Sequence, residues 1–367
     1  MKRFFTLILL LLIFSVTFAQ AADDEAYPVR AKVVELLEDT GNEVNTPAEG
    51  YYYESQFVRV QILEGEHKGK TVVAEHSTTA YFTDYETYRL KKGDRVFITY
   101  YLDENGEPVD VYVTDLVREG YLLFLAALFV FLILVLGRGQ GVKTIITLLI
   151  TVFIVVKVLI PLILKGFPPL LTSVVLCSVV ILISFIIITG WNRKSLAAAL
   201  GTVSGVIVAG TLALVLGSSA RLTGLAQEET LMLINIPQEI RFNYQGLLFS
   251  GIIIGAMGAV MDVGMSIASA LYEIKSTNPE IGFQQLVSSG LNVGRDVMGT
   301  MTNTLILAYA GGALSLILLF AAYEVPLAQI INGDYMASEI VRALAGSIGL
   351  VMTIPITTFI SARLYTS

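Results

Sequence analysis

The sequence predicts an α-helical polytopic membrane protein with about seven spans after a signal peptide, carrying an N-terminal extracytoplasmic small β-barrel of OB-like or SH3-like type. Two observations predict it. The first is composition: 54% of the 367 residues are hydrophobic and only 15% charged, whereas soluble domains carry about a quarter charged residues. The second is how that charge is distributed. Residues 22–118 hold 20 acidic and 10 basic side chains, and the rest of the chain holds 11 and 14, so the net charge of −7 divides into −10 and +3. The hydrophobic period changes at the same boundary, from two residues to long continuous runs.

The chain opens with a basic head, Met1-Lys2-Arg3, followed by an apolar run from Phe4 to Phe18 and the small residues of Ala19-Gln20-Ala21. This is the pattern of a secretory signal peptide over residues 1–21. An uncleaved first membrane helix is the alternative. Either delivers the next segment outside the cytoplasm.

Residues 22–118 read as the β domain. Val58, Val60 and Ile62 alternate with Arg59 and Gln61, as in a half-buried strand. The polar, glycine-punctuated stretch Glu64–Lys70 then leads into Thr71-Val72-Val73-Ala74, which predicts a hairpin. Gly93-Asp94 opens a further strand, in which Val96, Ile98 and Tyr100 oppose Phe97, Thr99 and Tyr101. Asn105-Gly106 supplies a tight reversal into Val109, Val111 and Val113. With the run Val29–Leu37 this makes about five short strands, enough for a small barrel. The single cysteine, Cys177, lies in an apolar run, so the domain has no internal staple. Its acidity argues against a nucleic-acid partner. Glu66, His67, Glu75 and His76 are metal-ligand types, but their spacing matches no ligand signature and turn-flanking histidines are usually solvated, so no metal or cofactor is expected. The Tyr51-Tyr52-Tyr53 cluster suits a loop on the barrel or at the membrane interface.

Residues 119–367 form the membrane domain. Seven apolar runs near Tyr121–Leu136, Thr144–Leu164, Phe167–Thr189, Leu196–Ser218, Gly246–Leu271, Val297–Phe320 and Ser338–Ala362 approach bilayer length, about 20 residues per helix. Arg138, Lys143, Arg193, Lys194, Lys275, Arg295 and Arg363 fall in connections on one side, against Lys165, Arg221 and Arg241 with Arg342 on the other. The positive-inside bias places the N-terminal domain outside and the C-terminus in the cytoplasm. Gly201 with Gly205, and Gly251 with Gly255, are spaced for close helix approach. Pro161 and Pro355 are expected to kink their spans.

Polar groups are costly in lipid and line bundle interiors or wet cavities. Asp262, Ser266, Ser269 and Glu273 draw one stripe along the fifth span, and Asp296, Thr300 and Asn303 repeat that spacing on the sixth beside Arg295. Glu339 and Arg342, three residues apart, are placed to pair. Lys157 sits in the second span, where its stem allows snorkelling. Asp262 lies deepest in its helix. It reads either as a cation- or proton-binding carboxylate on a transport path, or as a structural partner of Arg295, Lys157 or a helix terminus.

Three stretches carry a resemblance. They are Gly190-Trp191-Asn192-Arg193-Lys194-Ser195-Leu196, then Gly255-Ala256-Met257-Gly258-Ala259-Val260-Met261-Asp262, and Asn292-Val293-Gly294-Arg295-Asp296-Val297-Met298-Gly299-Thr300-Met301-Thr302-Asn303-Thr304-Leu305 running into Leu307-Ala308-Tyr309. In these the chain resembles the YibE/F-like family of bacterial multi-pass membrane proteins, over essentially its whole length. The resemblance implies residence in the bacterial cytoplasmic (inner) membrane and assigns no catalytic or ligand residue.

Together these features predict a gradient-driven or passive transporter or permease for an ion or small solute. The alternative is a membrane-anchored sensor or assembly partner whose β domain binds a ligand or an extracytoplasmic protein. Enzyme chemistry is not expected. No histidine lies in a span, no His-Glu-x-x-His pair occurs, and no Gly-x-x-x-x-Gly-Lys-Ser/Thr loop cradles a nucleotide. Paired aspartate chemistry would require Asp262 and Asp296 to meet.

Overall fold

The computed structural model describes residues 28–37, 52–80, 89–235 and 242–366. The expected signal peptide, Tyr51 and Arg241 lie outside the described residues. The chain divides into two compact units, with the boundary between Leu132 and Ile133.

The first unit contains a closed barrel of strands β1 (Val29–Leu36), β2 (Tyr52–Ile62), β3 (Thr71–Ala80), β4 (Arg95–Leu102) and β5 (Pro108–Leu116). Their order is β1-β2-β3-β5-β4, closed by β1 against β4. All pairs are antiparallel except β3 with β5. Of the two expected barrel types, this Greek-key closure fits the OB-like one. The period-two reading holds in β2 and in β4. Val58, Val60, Ile62, Val96 and Ile98 are fully buried, and Ala31, Val33, Ala74, Leu90, Val111 and Val113 join them in the core. Each fully buried Val or Ile side chain contributes about 1.5–3 kcal/mol.

Two local features depart from simple alternation. Val109 is exposed although Val111 and Val113 are buried. Asp110 adopts a φ of 47°, and the β4–β5 register slips between Thr99 and Tyr101. A bulge of this kind moves the residues beyond it onto the other face. The Asn105-Gly106 reversal is held by Asp103, whose carboxylate accepts the amides of Glu107 and Asn105 at 2.8 and 2.9 Å. These bonds, the Glu107 amide first, hold that carboxyl below the usual range.

The barrel is joined to the helix that follows it by Arg30. Its guanidinium donates to Glu64 at 3.1 Å and to Glu119 at 2.9 Å, while its backbone amide meets Glu64 at 2.9 Å. The guanidinium also lies 5.6 Å from the Phe97 ring centroid. Glu119 begins helix α1, so the bond fixes the helix start onto β1.

The helices are α1 (Glu119–Ile154), α2 (Ile160–Leu164), α3 (Pro169–Thr189), α4 (Arg193–Ser219), α5 (Glu228–Met232), α6 (Tyr244–Thr277), α7 (Phe283–Gly312), α8 (Leu314–Ala322), α9 (Leu327–Asn332) and α10 (Asp334–Thr366). A π-helical turn, Val155–Leu159, joins α1 to α2 immediately before Pro161. Proline has no amide to offer the carbonyl four residues back, which is that of Lys157, and the wider turn absorbs the mismatch. Pro355, by contrast, lies within α10 without a break in the helix.

By length and composition, five described helices are able to cross a membrane, or six if the pair α7–α8, bent by 60° about Ala313, forms one span. The count falls short of the expected seven because Glu119–Leu164 runs as one 46-residue helical stretch. At about 1.5 Å per residue it measures about 69 Å, more than twice the bilayer core of about 30 Å. It is not straight. Arg138 sits at φ 48° and ψ −126°, and a β-carbon on Gly141 would collide with the Ile133 carbonyl. Residues eight apart in a straight helix are separated by about 12 Å, so the chain turns back on itself here.

The centre of the second unit is formed by α4, α6 and α10, with α7 against α10 and α6 and with α3 against α4 and α6. Contacts are built on glycine. A β-carbon on Gly201 would strike Thr357, one on Gly205 would strike Thr353, and one on Gly264 would strike Thr202. On α7, Gly290 lies against Thr358 and Gly294 against Ile354. Association in lipid rests on such close approach, because burial of apolar surface from lipid supplies little. The expected role of Gly201 and Gly205 therefore holds, and that of Gly251 does not. Gly251 is exposed and has no neighbour within 4 Å of a β-carbon position.

Basic residues cluster at one end of this bundle, where helix carbonyls are unsatisfied. Arg193 donates to the Leu364 carbonyl at 2.7 Å, Lys143 to that of Ile188 at 3.0 Å, and Lys275 to those of Pro279 and Ile281 at 2.7 and 3.1 Å. The Lys194 ammonium lies 5.6 Å from the Tyr272 ring centroid. Cations at helix C-termini also match the helix dipole.

Candidate functional site

Helix α6 buries Ile253, Ala256, Val260, Val263, Ile267 and Leu271. Gly251, Gly255, Gly258, Asp262, Ser266 and Glu273 are exposed, and Ser269 is half-buried. Their spacings of four, three, four, four, three and four residues keep them on one face. The expected polar stripe is thus real, and it is the lower part of a longer one whose upper part is glycine.

Asp262 is the centre of that face. Among the described residues it has no ion-pair or hydrogen-bond partner. Arg295 donates instead to Asn292, one turn away on α7, at 2.8 Å. Lys157 is exposed, on the π-helical turn. Ser266 is exposed, and Ser269 turns its hydroxyl to the Met265 sulfur at 3.5 Å.

The second stripe is arranged differently. Asp296, Thr300 and Asn303 are all exposed, whereas α7 buries Gly290, Gly294 and Leu305. Asp296 follows Gly294 by two residues and Asn303 precedes Leu305 by two, a rotation of about 200° in each case. The stripe therefore lies on the side of α7 turned away from the packed core. Thr300 returns its hydroxyl to the Val297 carbonyl at 3.0 Å. Sequence spacing shows each stripe but not whether two stripes face each other.

At the end of the bundle opposite the basic cluster lies a cavity of about 370 Å³. It is within the usual range for small-molecule sites, about 300–1,000 Å³. Its walls come from the α4–α5 connection, α5, the first turns of α6 and the start of α10. Glu339 and Arg342 pair along its α10 wall at 3.2 Å as their spacing predicts, with side chains only 12% and 21% exposed. Ser338 is 5% exposed, and its hydroxyl and the Arg342 Nε have no hydrogen-bond partner among the described residues. The Tyr309 hydroxyl, also buried and unpartnered, lies against Gly255.

The local sequence explains how the cavity is held. Gly224 has a φ of 75°, and a β-carbon there would collide with the Tyr244 carbonyl, so the connection lies flat on the start of α6. Gln245 donates to the Leu222 carbonyl at 2.8 Å, and the Thr223 hydroxyl donates to Asp334 at 2.5 Å. These bonds tie the α4 exit to both the α6 and α10 starts. Gly251 then leaves one wall without a side chain.

The barrel offers no comparable site. Among the described residues no cluster of three His, Cys, Asp or Glu is able to hold a metal. His67 is 8% exposed and stacks edge-on against Tyr100 at 5.7 Å, a packed position rather than the solvated one expected from its turn. His76 lies on β3 opposite Gln56. The outer surface of β3, β4 and β5 exposes Val73, Tyr101, Leu102 and Tyr112.

Comparison with known proteins agrees with this division. No curated protein and no solved structure gives a significant match to the chain. Residues 28–116, the barrel, match the YibE/F family N-terminal domain. Residues 125–367, the helical part, match the model described as YibE/F-like protein. With more than half of its length matched and both parts in the family's order, the chain belongs to the YibE/F family.

Proposed function

We propose that this protein is a multi-pass transporter or permease for an ion or small solute, gradient-driven or passive, in the bacterial cytoplasmic membrane. The observation that carries the reading is the α6 face: an unpartnered carboxylate, Asp262, in the middle of a glycine-and-hydroxyl stripe on a helix long enough to span the bilayer. An ionisable group placed there without a protein partner needs water or a mobile cation. Gly251 and Gly258 above it leave space, and the hydroxyls of Ser266 and Ser269 below it supply weak oxygen ligands. The sequence carries no nucleotide-cradling loop, which supports a gradient-driven or passive mechanism. In this reading the signal peptide exports the barrel, the basic end of the bundle faces the cytoplasm, and the helical part crosses seven times.

The test is current from the purified protein in liposomes under jumps of proton, sodium, potassium and divalent cations. Wild type responds to at least one ion, and Asp262→Asn falls to the level of empty liposomes while Asp262→Glu retains part of the current. An equal current in Asp262→Asn removes the carboxylate from the path. Silence of the wild type to every jump, with insertion verified, favours the sensor or assembly reading, which the exposed apolar surface of the barrel supports.

A further inference from the structure

We infer that the cavity at the α4–α6–α10 end is a binding site for a small zwitterion, a molecule carrying one ammonium group and one carboxylate or phosphate oxyanion. The inference stands apart from the transport reading, because it concerns equilibrium occupancy of a site that does not include Asp262.

Glu339 and Arg342 are both largely buried, and they touch through a single contact of 3.2 Å. A guanidinium carries five donors in a planar fork. Here Nη1 faces Glu339, and Nε is buried without a partner among the described residues. The Ser338 hydroxyl, one turn before Arg342, is likewise buried and has no partner among the described residues. Ser338 and Arg342 both line the cavity, so an oxyanion held between them would sit beside two polar side chains that each keep a bonding group unused among the described residues. Orphaned buried donors are costly enough that native structures rarely keep them without a use.

A simple anion fits poorly, because Glu339 shares the cavity and would face it across a medium of low dielectric. A simple cation meets the same difficulty from Arg342. A ligand bearing both charges leaves neither group of the pair uncompensated, and it adds no net charge to a buried site. Its remaining atoms meet Leu233, Leu247 and Leu248 on the apolar part of a wall that also carries Gln227 and Thr230. Gly251 opens the side of the cavity, since nothing lies within 4 Å of its β-carbon position.

Two sources supply this chemistry: free amino-acid-like solutes and the phosphoethanolamine head of a membrane lipid. Titration calorimetry on the full chain in detergent separates them, with L-leucine and glycerophosphoethanolamine as zwitterionic probes. Isocaproate and isoamylamine serve as matched probes that each lack one charge. At least one zwitterion binds saturably, and the single-charge probe nearest to it binds at least tenfold more weakly. Binding of L-leucine assigns a solute, and binding of glycerophosphoethanolamine alone assigns a lipid head group. Arg342→Gln and Glu339→Gln each weaken the bound probe at least tenfold, and Gly251→Leu, which fills the open side, does the same without touching the ion pair. The Gly251 variant keeps the test meaningful should breaking the pair impair folding. Absence of saturable binding by both zwitterions, equal binding of a single-charge probe, or unchanged affinity in folded Gly251→Leu overturns the inference.

Discussion

Gln56 sits inside the barrel wall, 5% exposed, and does the work of a missing strand neighbour. Its amide nitrogen donates to the Leu90 carbonyl at 3.1 Å, and its oxygen accepts the Leu90 amide at 2.8 Å. Leu90 is thereby held as a plug, 1% exposed, ahead of β4. Gln56→Met keeps the shape and removes both bonds, so two buried backbone groups lose their partners. The expected cost is about 2–4 kcal/mol in barrel stability, read as faster amide exchange at Leu90 and its neighbours in the full chain. Unchanged exchange would show that Leu90 is held by packing alone. This clamp is not legible in the sequence: alternation puts Gln56 on the face of Val58, Val60 and Ile62, but nothing local reveals its partner, which is 34 positions away. Asp262 is legible, since a carboxylate within a long apolar run stands out by cost alone. The openness of Gly251 is not. Glycine spacing reads the same whether a helix or a cavity fills the space.

At the scale of elements, the period-two strands and the turn residues were legible because each depends on a few adjacent positions. The bulge at Asp110 and the slip of Val109 to the outside were hidden, since they depend on pairing with β4. Helix contacts follow the same rule. Thr202, Thr357 and Thr358 are fully buried, each seated against a glycine on a neighbouring helix. The α4–α6 contact isolates one such pair. A β-carbon on Gly264 would collide with the Thr202 hydroxyl, while the next atoms, the Ala198 carbonyl oxygen and Thr202 Cβ, stand at 3.4 and 3.5 Å. Gly264→Ala therefore destabilises the bundle by about 1–3 kcal/mol through overpacking, and Thr202→Ala restores most of the loss. The double-mutant cycle is measured as the thermal midpoint of the detergent-solubilised chain, with Gly258→Ala as a control. Gly258 has open space at its β-carbon position, so its replacement is neutral or slightly stabilising. Additive losses at Gly264 and Thr202 would mean that the helices shift apart rather than yield at one hydroxyl.

For the whole molecule, the decisive question is how often Glu119–Leu164 crosses the bilayer. Continuous helix assignment counts it as one span. Its length, the backbone of Arg138 and the contact of Gly141 with Ile133 argue for two, with the turn at the membrane surface. The arms on either side of Arg138 contain 19 and 26 residues by position, which matches the range of about 17–25 for single spans when one arm tilts. The two counts place Lys165 on opposite sides. With two crossings, Lys165 returns to the side of the barrel and Arg138 lies across the membrane from both. With one, Lys165 lies opposite the barrel. Cys177 is the only cysteine and is buried, so Cys177→Ala gives a clean background for single substitutions. Glu104→Cys in the barrel, Arg138→Cys and Lys165→Cys are labelled in intact cells with a membrane-impermeant maleimide. Labelling of Glu104→Cys and Lys165→Cys, with Arg138→Cys reacting only after permeabilisation, establishes the double crossing and an extracytoplasmic barrel. Labelling of Glu104→Cys alone in intact cells, with Lys165→Cys protected, rejects the double crossing and shifts every later helix by one side. The cavity beside Glu339 would then open to the cytoplasm, and the zwitterion it is inferred to bind would have to be a cytoplasmic one.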